Sequence, residues 1–213
     1  MVKLIIVDDH AIVRRGLRRI CETDPNLTVS AEASSGAEAL AWLGAHAVDV
    51  VLLDLTMPGM QGMDLIKHLV SVRPAPRILV LSMHAEAEVA ARALRVGAHG
   101  YLTKDADPDV LITAVHKVAS GGKFIDPMLA EALVFAKLGS ETPTMSALTD
   151  REFEVFRLLA SGASVTEIAE RFSLSAKTIS THKTRLMQKL GLRSNADIVR
   201  LAMTEGLVRN DGR

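Results

Sequence analysis

The chain has 213 residues, and its 25 Lys and Arg balance 25 Asp and Glu, so its formal net charge is zero. At roughly 100–200 residues per domain this is one large or two small domains. An apolar share of 48% supplies a core and excludes a disordered chain. No uncharged run reaches the roughly 18 residues a membrane span needs; Ala39 to Val48 is among the longest, and it contains Gly44 and His46. The apolar run before Asp8-Asp9 is too short for a signal peptide. One cysteine, Cys21, can form neither an internal disulfide nor a cysteine metal site, and reads as a buried or half-buried thiol in a reducing cytoplasm. The seven histidines lack close ligand spacing, which argues against zinc.

Overall neutrality hides an asymmetry. Residues 1–139 carry 14 basic and 16 acidic side chains, and residues 140–213 carry 11 basic and 9 acidic. Between positions 171 and 196 stand Arg171, Lys177, Lys183, Arg185, Lys189 and Arg193 with no acid. A local basic stretch in a neutral chain points to a polyanion-binding face.

From the start, short apolar runs alternate with helical spacing. Leu4-Ile5-Ile6-Val7 reads as a buried strand that ends in Asp8-Asp9. Residues 27–33 form a second strand, 49–54 a third ending at Asp54, 77–82 a fourth ending at Ser82, and 99–102 a short fifth followed by Thr103-Lys104. Between or after them, residues 11–23, 36–45, 62–72, 87–96 and 108–120 carry helical periodicity. Five strands alternating with five helices predict an α/β doubly wound, five-stranded parallel sheet. The continuous apolar strands fit a sheet covered on both faces. A connecting segment spans residues 123–147, with a short helix over 128–138 and a small, polar, proline-containing linker over 139–147. Beyond it no strand signal remains. Four helices are predicted over 150–160, 165–172, 176–190 and 195–205, each after a capping hydroxyl: Thr149, Ser164, Ser175 and Ser194. Gly162, Gly191 and Gly206 fit the ends of the first, third and fourth. The domains are therefore 1–122, a connection over 123–147, and a small all-α unit over 148–213.

Ligands of doubly wound sheets sit beyond the carboxyl ends of the strands. Asp8, Asp9, Asp54, Ser82 and Lys104 all fall there. Single strand-end polar residues are commonly solvated loop starts, but five of complementary chemistry on four strands make a site. Three close carboxylates repel unless a cation joins them, and oxygen-only ligands favour Mg2+ or Mn2+. Lys104 offers a cation for a phosphoryl oxygen and Ser82 a hydroxyl. A carboxylate so flanked is suited to carry an acyl phosphate; Asp54, on the central-looking strand, is the candidate.

The strings Val7-Asp8-Asp9-His10, Leu53-Asp54-Leu55-Thr56-Met57-Pro58-Gly59, Leu81-Ser82 and Gly100-Tyr101-Leu102-Thr103-Lys104 resemble the receiver domain of two-component response regulators, over residues 1 to about 122. The resemblance implies a flavodoxin-like fold, with Asp54 as phosphoryl acceptor and Asp9 as principal Mg2+ ligand. Asp8 and the backbone carbonyl of Thr56 would complete the protein ligands. It also implies Ser82 and Tyr101 as a switch pair, Lys104 as the phosphate-sensing cation, and a sensor histidine kinase as donor. Without it, Tyr101 reads equally well as a half-buried aromatic on an edge strand.

Residues 165–190 hold two helices joined by Ser173-Leu174-Ser175, which is helix-turn-helix spacing. In the second, Ile179, His182, Leu186 and Leu190 share one face. Lys177, Thr181, Thr184 and Gln188 fall opposite, with Lys183, Arg185 and Lys189 on the flanks. Short donors and acceptors with flanking cations suit base edges and phosphates, whereas solvated faces usually mix signs. The strings Leu148-Thr149-Asp150-Arg151-Glu152, Ser164-Val165-Thr166-Glu167-Ile168-Ala169, Ser175-Ala176-Lys177-Thr178-Ile179 and Lys189-Leu190 resemble the LuxR-type DNA-binding domain, over residues 146 to about 208. With the receiver, the whole is similar to the NarL/FixJ group of bacterial transcriptional regulators. Asp150 stands where that group more often has a small or polar residue. The resemblance adds Ser180 as a base contact, although the helical wheel puts it to the side.

The resemblance implies double-stranded promoter DNA, a second copy of the chain when phosphorylated or DNA-bound, and RNA polymerase as partners, with no membrane. On the fourth helix, Ala196, Val199, Arg200 and Met203 share a seam, while Ile198, Leu201 and Ala202 face the core. Pattern and resemblance together make Val199 and Met203 the dimer contacts. Two other classes fit less well. An aspartyl-phosphate hydrolase needs a general acid two residues past its nucleophile, where Thr56 cannot serve, so the chain reads as a regulator and not an enzyme. An RNA reader needs aromatic platforms, and aromatics are only 3%.

Overall fold

The fold is described from a computed structural model, over residues 1–57, 60, 62–83, 87–127, 129–130 and 145–208. Contacts divide the chain into Met1–Leu133 and Val134–Arg213. The first unit alternates β1 (Val2–Val7), α1 (Ala11–Cys21), β2 (Leu27–Ala33), α2 (Gly36–Leu43), β3 (Val50–Asp54), α3 (Gly62–Ser71), β4 (Arg77–Ser82), α4 (Ala87–Val96), β5 (Gly100–Thr103) and α5 (Pro108–Ala119), then β6 (Phe124–Ile125). The sheet is parallel throughout, in the order β2-β1-β3-β4-β5-β6.

Every residue of β3 is buried, as are Leu4 to Val7 of β1 and Ile78 to Ser82 of β4. Alternation cannot appear in strands that have no wet face. On one side Leu4, Ile6, Val50, Leu52, Leu79 and Leu81 pack against Leu17 and Cys21 of α1 and Leu111, Ala114, Val115 and Val118 of α5. Helices α2, α3 and α4, which contact one another in sequence, bury Leu43, Leu65, Ile66, Leu69, Val89 and Ala93. At the head of α3, a Cβ on Gly62 would lie 2.8 Å from the Leu55 Cα; only glycine lets the helix start so close to the loop that leaves β3.

The structure differs from the sequence reading in three places. Phe124–Ile125 adds a sixth strand, paired with Gly100 and Tyr101. The first unit therefore reaches past residue 122, and the predicted separate connection over 123–147 begins inside it. The predicted helix and linker over 128–147 lie mostly outside the described residues; within them Met145–Ala147 forms a 3-10 turn. Near the end of α2, Trp42 is half-buried and stacks on His46 with ring centroids 4.3 Å apart.

In the second unit the described residues form α6 (Asp150–Ala160), α7 (Val165–Arg171), α8 (Ala176–Leu190) and α9 (Asn195–Thr204). Thr149, Ser164 and Ser194 each close a full capping box, and Ser175 accepts from the Thr178 amide. Such caps stabilise a helix by about 1 kcal/mol each, which matters for helices as short as α7. Gly191 ends α8 at φ +66°, a conformation glycine adopts without strain. Phe153, Phe156, Ile168, Ile179, Leu186, Ile198 and Ala202 form the core. Into it reaches one buried carboxylate, Glu152, which accepts from the Thr149 amide at 2.9 Å and from Lys189 Nζ at 2.6 Å.

Burial works against ionised Glu152, but Lys189 and Thr149 more than offset it and hold its carboxyl below the usual range. A depressed acid contributes stability that is complete above its unfolded value and is lost as pH falls through its folded value. Glu152→Gln should lower the unfolding free energy of these helices by about 2 kcal/mol at neutral pH and by progressively less below about pH 4.5, measured by urea denaturation followed in the far-ultraviolet. In the first unit, burial pushes the Cys21 thiol up to about 11. Native protein at pH 8 should therefore resist a thiol reagent that labels the denatured chain stoichiometrically.

Candidate functional site

The parallel register brings the carboxyl ends of four strands together. Val7 pairs with Leu53, Asp54 with Leu81, and Ser82 with Thr103. The chain leaves β1 toward β2 on one side while β3 lies on the other, so Asp8 and Asp54 flank the switch point of the sheet. Both are buried. Lys104, almost fully buried, sets its ammonium 2.6 Å from Asp8 Oδ2 and 2.8 Å from Asp54 Oδ2. Burial opposes the ammonium charge, but Asp54 and Asp8 more than offset it and raise its pKa.

The two oxygens of Asp54 have different surroundings. Oδ1 accepts from the Thr56 amide at 2.9 Å and the Thr56 hydroxyl at 2.7 Å. Oδ2 faces the Lys104 ammonium at 2.8 Å and meets no other donor among the described residues. Asp8 Oδ1 accepts from the His10 amide at 2.8 Å, and Arg14 Nη1 donates to the Asp8 carbonyl at 2.6 Å. Asp9 Oδ1, without a hydrogen-bond donor among the described residues, lies 2.8 Å from His10 Nδ1. Ligand atoms of Asp8, Asp9, His10 and Asp54 all fall within 4.8 Å of one another. Three carboxylates less one ammonium leave a formal charge of −2, which one divalent cation cancels. This carboxylate-rich donor set, with the buried Asp9 Oδ1 lacking a hydrogen-bond donor among the described residues, fits a hard cation.

Ser82 is buried at the end of β4, and its carbonyl accepts from the Lys104 amide at 2.7 Å. Tyr101 is fully buried, and β6 makes β5 an interior strand, so the edge-strand alternative is wrong. Three contributors escaped the sequence reading. His10 borders two carboxylates; its position directly after Asp8-Asp9 was the available signal. The Thr56 hydroxyl holds the acceptor candidate, although only its carbonyl was anticipated. Asp126 accepts from Thr103 Oγ1 at 3.1 Å, and its amide donates to the Tyr101 carbonyl at 3.0 Å; nothing in its local sequence announces that partner.

In the helical unit, α7 and α8 are joined by a turn in which Ser173 takes φ 53°. Lys177, Ser180, Thr181, Thr184, Arg185 and Gln188 are exposed on α8, and Lys183 is half-buried. Ser180 thus belongs to the outward face despite the wheel. Lys189 is also exposed, and its ammonium pairs with Glu152 on α6 at 2.6 Å. His182 packs inward, where burial lowers its pKa. On α9, Ile198 and Ala202 are buried and Leu201 half-buried, whereas Val199 is half-buried and Met203 is 43% exposed.

Two family models match the chain: the response regulator receiver domain over residues 4–116, and the luxR family of bacterial regulatory proteins over residues 146–202. The response regulator UvrY of Escherichia coli K12 is 33% identical over 97% of this chain and 96% of its own length. The transcriptional regulatory protein UhpA of Escherichia coli K12 is 38% identical over 94% of this chain and 97% of its own. Among solved structures, RcsB from Salmonella enterica serovar Typhimurium, bound to promoter rprA in the presence of phosphomimetic BeF3-, superposes with a TM-score of 0.70 at 30% identity, covering 94% of this chain and 97% of that one. With an acidic pocket on a receiver sheet followed in the chain by a basic helix-turn-helix, the chain belongs to the NarL/FixJ group of response regulators, DNA-binding regulators of transcription.

Proposed function

We propose that Asp54 is the phosphoryl acceptor and that its phosphorylation by a sensor histidine kinase controls promoter binding through α8. The observation that carries this reading is the ammonium of Lys104 between Asp8 and Asp54. It pairs with Asp54 Oδ2, the oxygen that no other described residue engages. Oδ2 is the oxygen left for phosphorus once Lys104 turns to the phosphoryl group, while Thr56 fixes Oδ1 and so the carboxylate plane. A P–O bond forms at Oδ2 as the P–N bond to the donor histidine breaks. Asp9, Asp8, Asp54 and the Thr56 carbonyl would hold Mg2+ (or Mn2+), which supplies charge neutralisation for the incoming phosphoryl oxygens. Lys104 then exchanges a carboxylate for a phosphoryl oxygen, the Ser82 hydroxyl donates to another, and Tyr101 follows Ser82 as the second member of the switch pair. The chain acts as a regulator, not an enzyme, and works in the cytoplasm.

On the DNA side, Ser180, Thr181, Thr184 and Gln188 face base edges, while Lys177, Lys183 and Arg185 take phosphates. One helix-turn-helix reads too few base pairs for a genomic site. A dimer through Val199 and Met203 of α9, on half-sites about one helical turn apart, supplies the rest.

Acetyl phosphate with Mg2+ should add one phosphoryl group to the wild type and none to Asp54→Asn, read by intact mass; equal labelling of the variant would overturn the acceptor assignment. Lys104→Ala and Ser82→Ala should still be labelled yet lose most of the phosphorylation-dependent gain in operator affinity; an unchanged gain would refute the coupling. Met203→Glu should weaken operator binding tenfold or more and shift the complex toward one protomer, measured by sedimentation and gel shift; operator binding by a wild-type monomer would remove the dimer from the scheme.

A further inference from the structure

The outward face of α8 does not present its hydroxyls alike. Thr181 Oγ1 donates to the Lys177 carbonyl at 3.0 Å, and Thr184 Oγ1 donates to the Ser180 carbonyl at 3.0 Å. A hydroxyl has one hydrogen, so each threonine has used its donor on its own helix. The bond turns Oγ1 back along the helix axis. The tetrahedral Cβ then leaves Cγ2, the methyl group, as the substituent directed outward. Ser180 differs: its hydroxyl has no recorded partner among the described residues, and it is exposed between the two threonines.

The edges of the major groove offer hydrogen-bonding groups at every base, and an apolar group only at thymine, whose C5 carries a methyl. For either threonine to hydrogen-bond a base as donor it must first give up its backbone acceptor, exchanging one bond for another with little net gain. Contact with a thymine methyl leaves the back-bond intact and removes two apolar groups from water. We propose that Thr181 and Thr184 read thymine C5-methyl groups and that Ser180 is the hydrogen-bonding reader beside them. This inference rests on α8 being the helix that enters the major groove. Side chains three positions apart on a helix are about 5–6 Å apart, one to two steps at about 3.4 Å per base. The two methyl contacts therefore fall within the same three base pairs of a half-site.

Duplexes enriched from a randomised pool by the phosphorylated full-length protein provide the probe. Each half-site thymine is replaced in turn by deoxyuridine, which puts hydrogen where the methyl stood and leaves the hydrogen-bonding edge unchanged. At one or two neighbouring positions the wild type should lose affinity about fourfold, the scale of one buried methyl group. Thr184→Val keeps the methyl and removes the hydroxyl; it should keep the roughly fourfold sensitivity to uracil. Thr184→Ser keeps the hydroxyl and removes the methyl; it should bind the thymine duplex about fourfold more weakly and lose the sensitivity at one position. Thr181→Val and Thr181→Ser should behave alike at the neighbouring position. Indifference to uracil throughout the half-site overturns the proposal, as does tight binding by the serine variants with loss in the valine variants. Failure to enrich any duplex would instead overturn the assignment of α8 to the major groove, and this inference with it.

Discussion

One ammonium holds the receiver site together. Asp8 and Asp54 arrive at the ends of two neighbouring strands, both buried, and two carboxylates at that depth call for a compensating charge. Lys104 supplies it from a third strand, 96 positions along the chain from Asp8. The sheet order makes this contact available, since β1, β3, β4 and β5 lie side by side with their carboxyl ends level. The contact is also provisional by its chemistry. An ammonium binds any nearby oxyanion as a point charge, with no fixed fork to satisfy, so a new and more highly charged acceptor at Asp54 competes for it directly.

Lys104 is also tied to its neighbours through the backbone. Its amide donates to the Ser82 carbonyl, and the preceding Thr103 donates to Asp126. Asp126 in turn accepts from the amides of Leu129 and Ala130, at the first turn beyond β6. From the acidic pocket, then, the Lys104 side chain, the Lys104–Thr103 backbone and the side-chain hydrogen bond from Thr103 to Asp126 lead to the point where the chain leaves the sheet. Asp126 stands at that exit with its amide on Tyr101 and its carboxylate on Thr103.

The readable parts of the sequence were those governed by local rules. Buried parallel strands show as unbroken apolar runs, so all five long strands were found within two residues at either end. Capping hydroxyls act on amides two or three positions ahead, so the four helix starts after Thr149, Ser164, Ser175 and Ser194 were legible to the residue. Phe124–Ile125 was missed because two residues show no periodicity; their strand character comes from the pairing partner Gly100-Tyr101. The pairing of Lys189 with Glu152 was not legible because the two stand 37 positions apart, and a wheel knows only its own helix. The same wheel undervalued Ser180, since it ranks positions by angle and not by what the neighbouring helices cover. In the acidic site the charged residues declared themselves at strand ends, but His10 and the Thr56 hydroxyl matter only through where the loops fold back.

The two units apply opposite solutions to the same problem of keeping polar groups at work. In the receiver the carboxylates of the acidic site are only partly engaged by the protein: Asp54 Oδ2 meets the Lys104 ammonium and Asp9 Oδ1 lies beside His10 Nδ1. In the helical unit the buried carboxylate Glu152 is fully engaged and serves the fold, while the residues that face outward on α8 carry no acid and no recorded ion pair apart from Lys189. A polyanion meets there cations not already neutralised by the protein, which is the condition for releasing counterions on binding. The helix can present such a row because it is not held in place by surface charge. Ile179 and Leu186 in the core, the Ser175 cap, the left-handed Gly191 stop and the single Glu152–Lys189 pair fix it from the other side. Stability and recognition are thereby assigned to different faces of one helix, and substitutions on the outward face can alter the sequence read without loosening the fold that presents it.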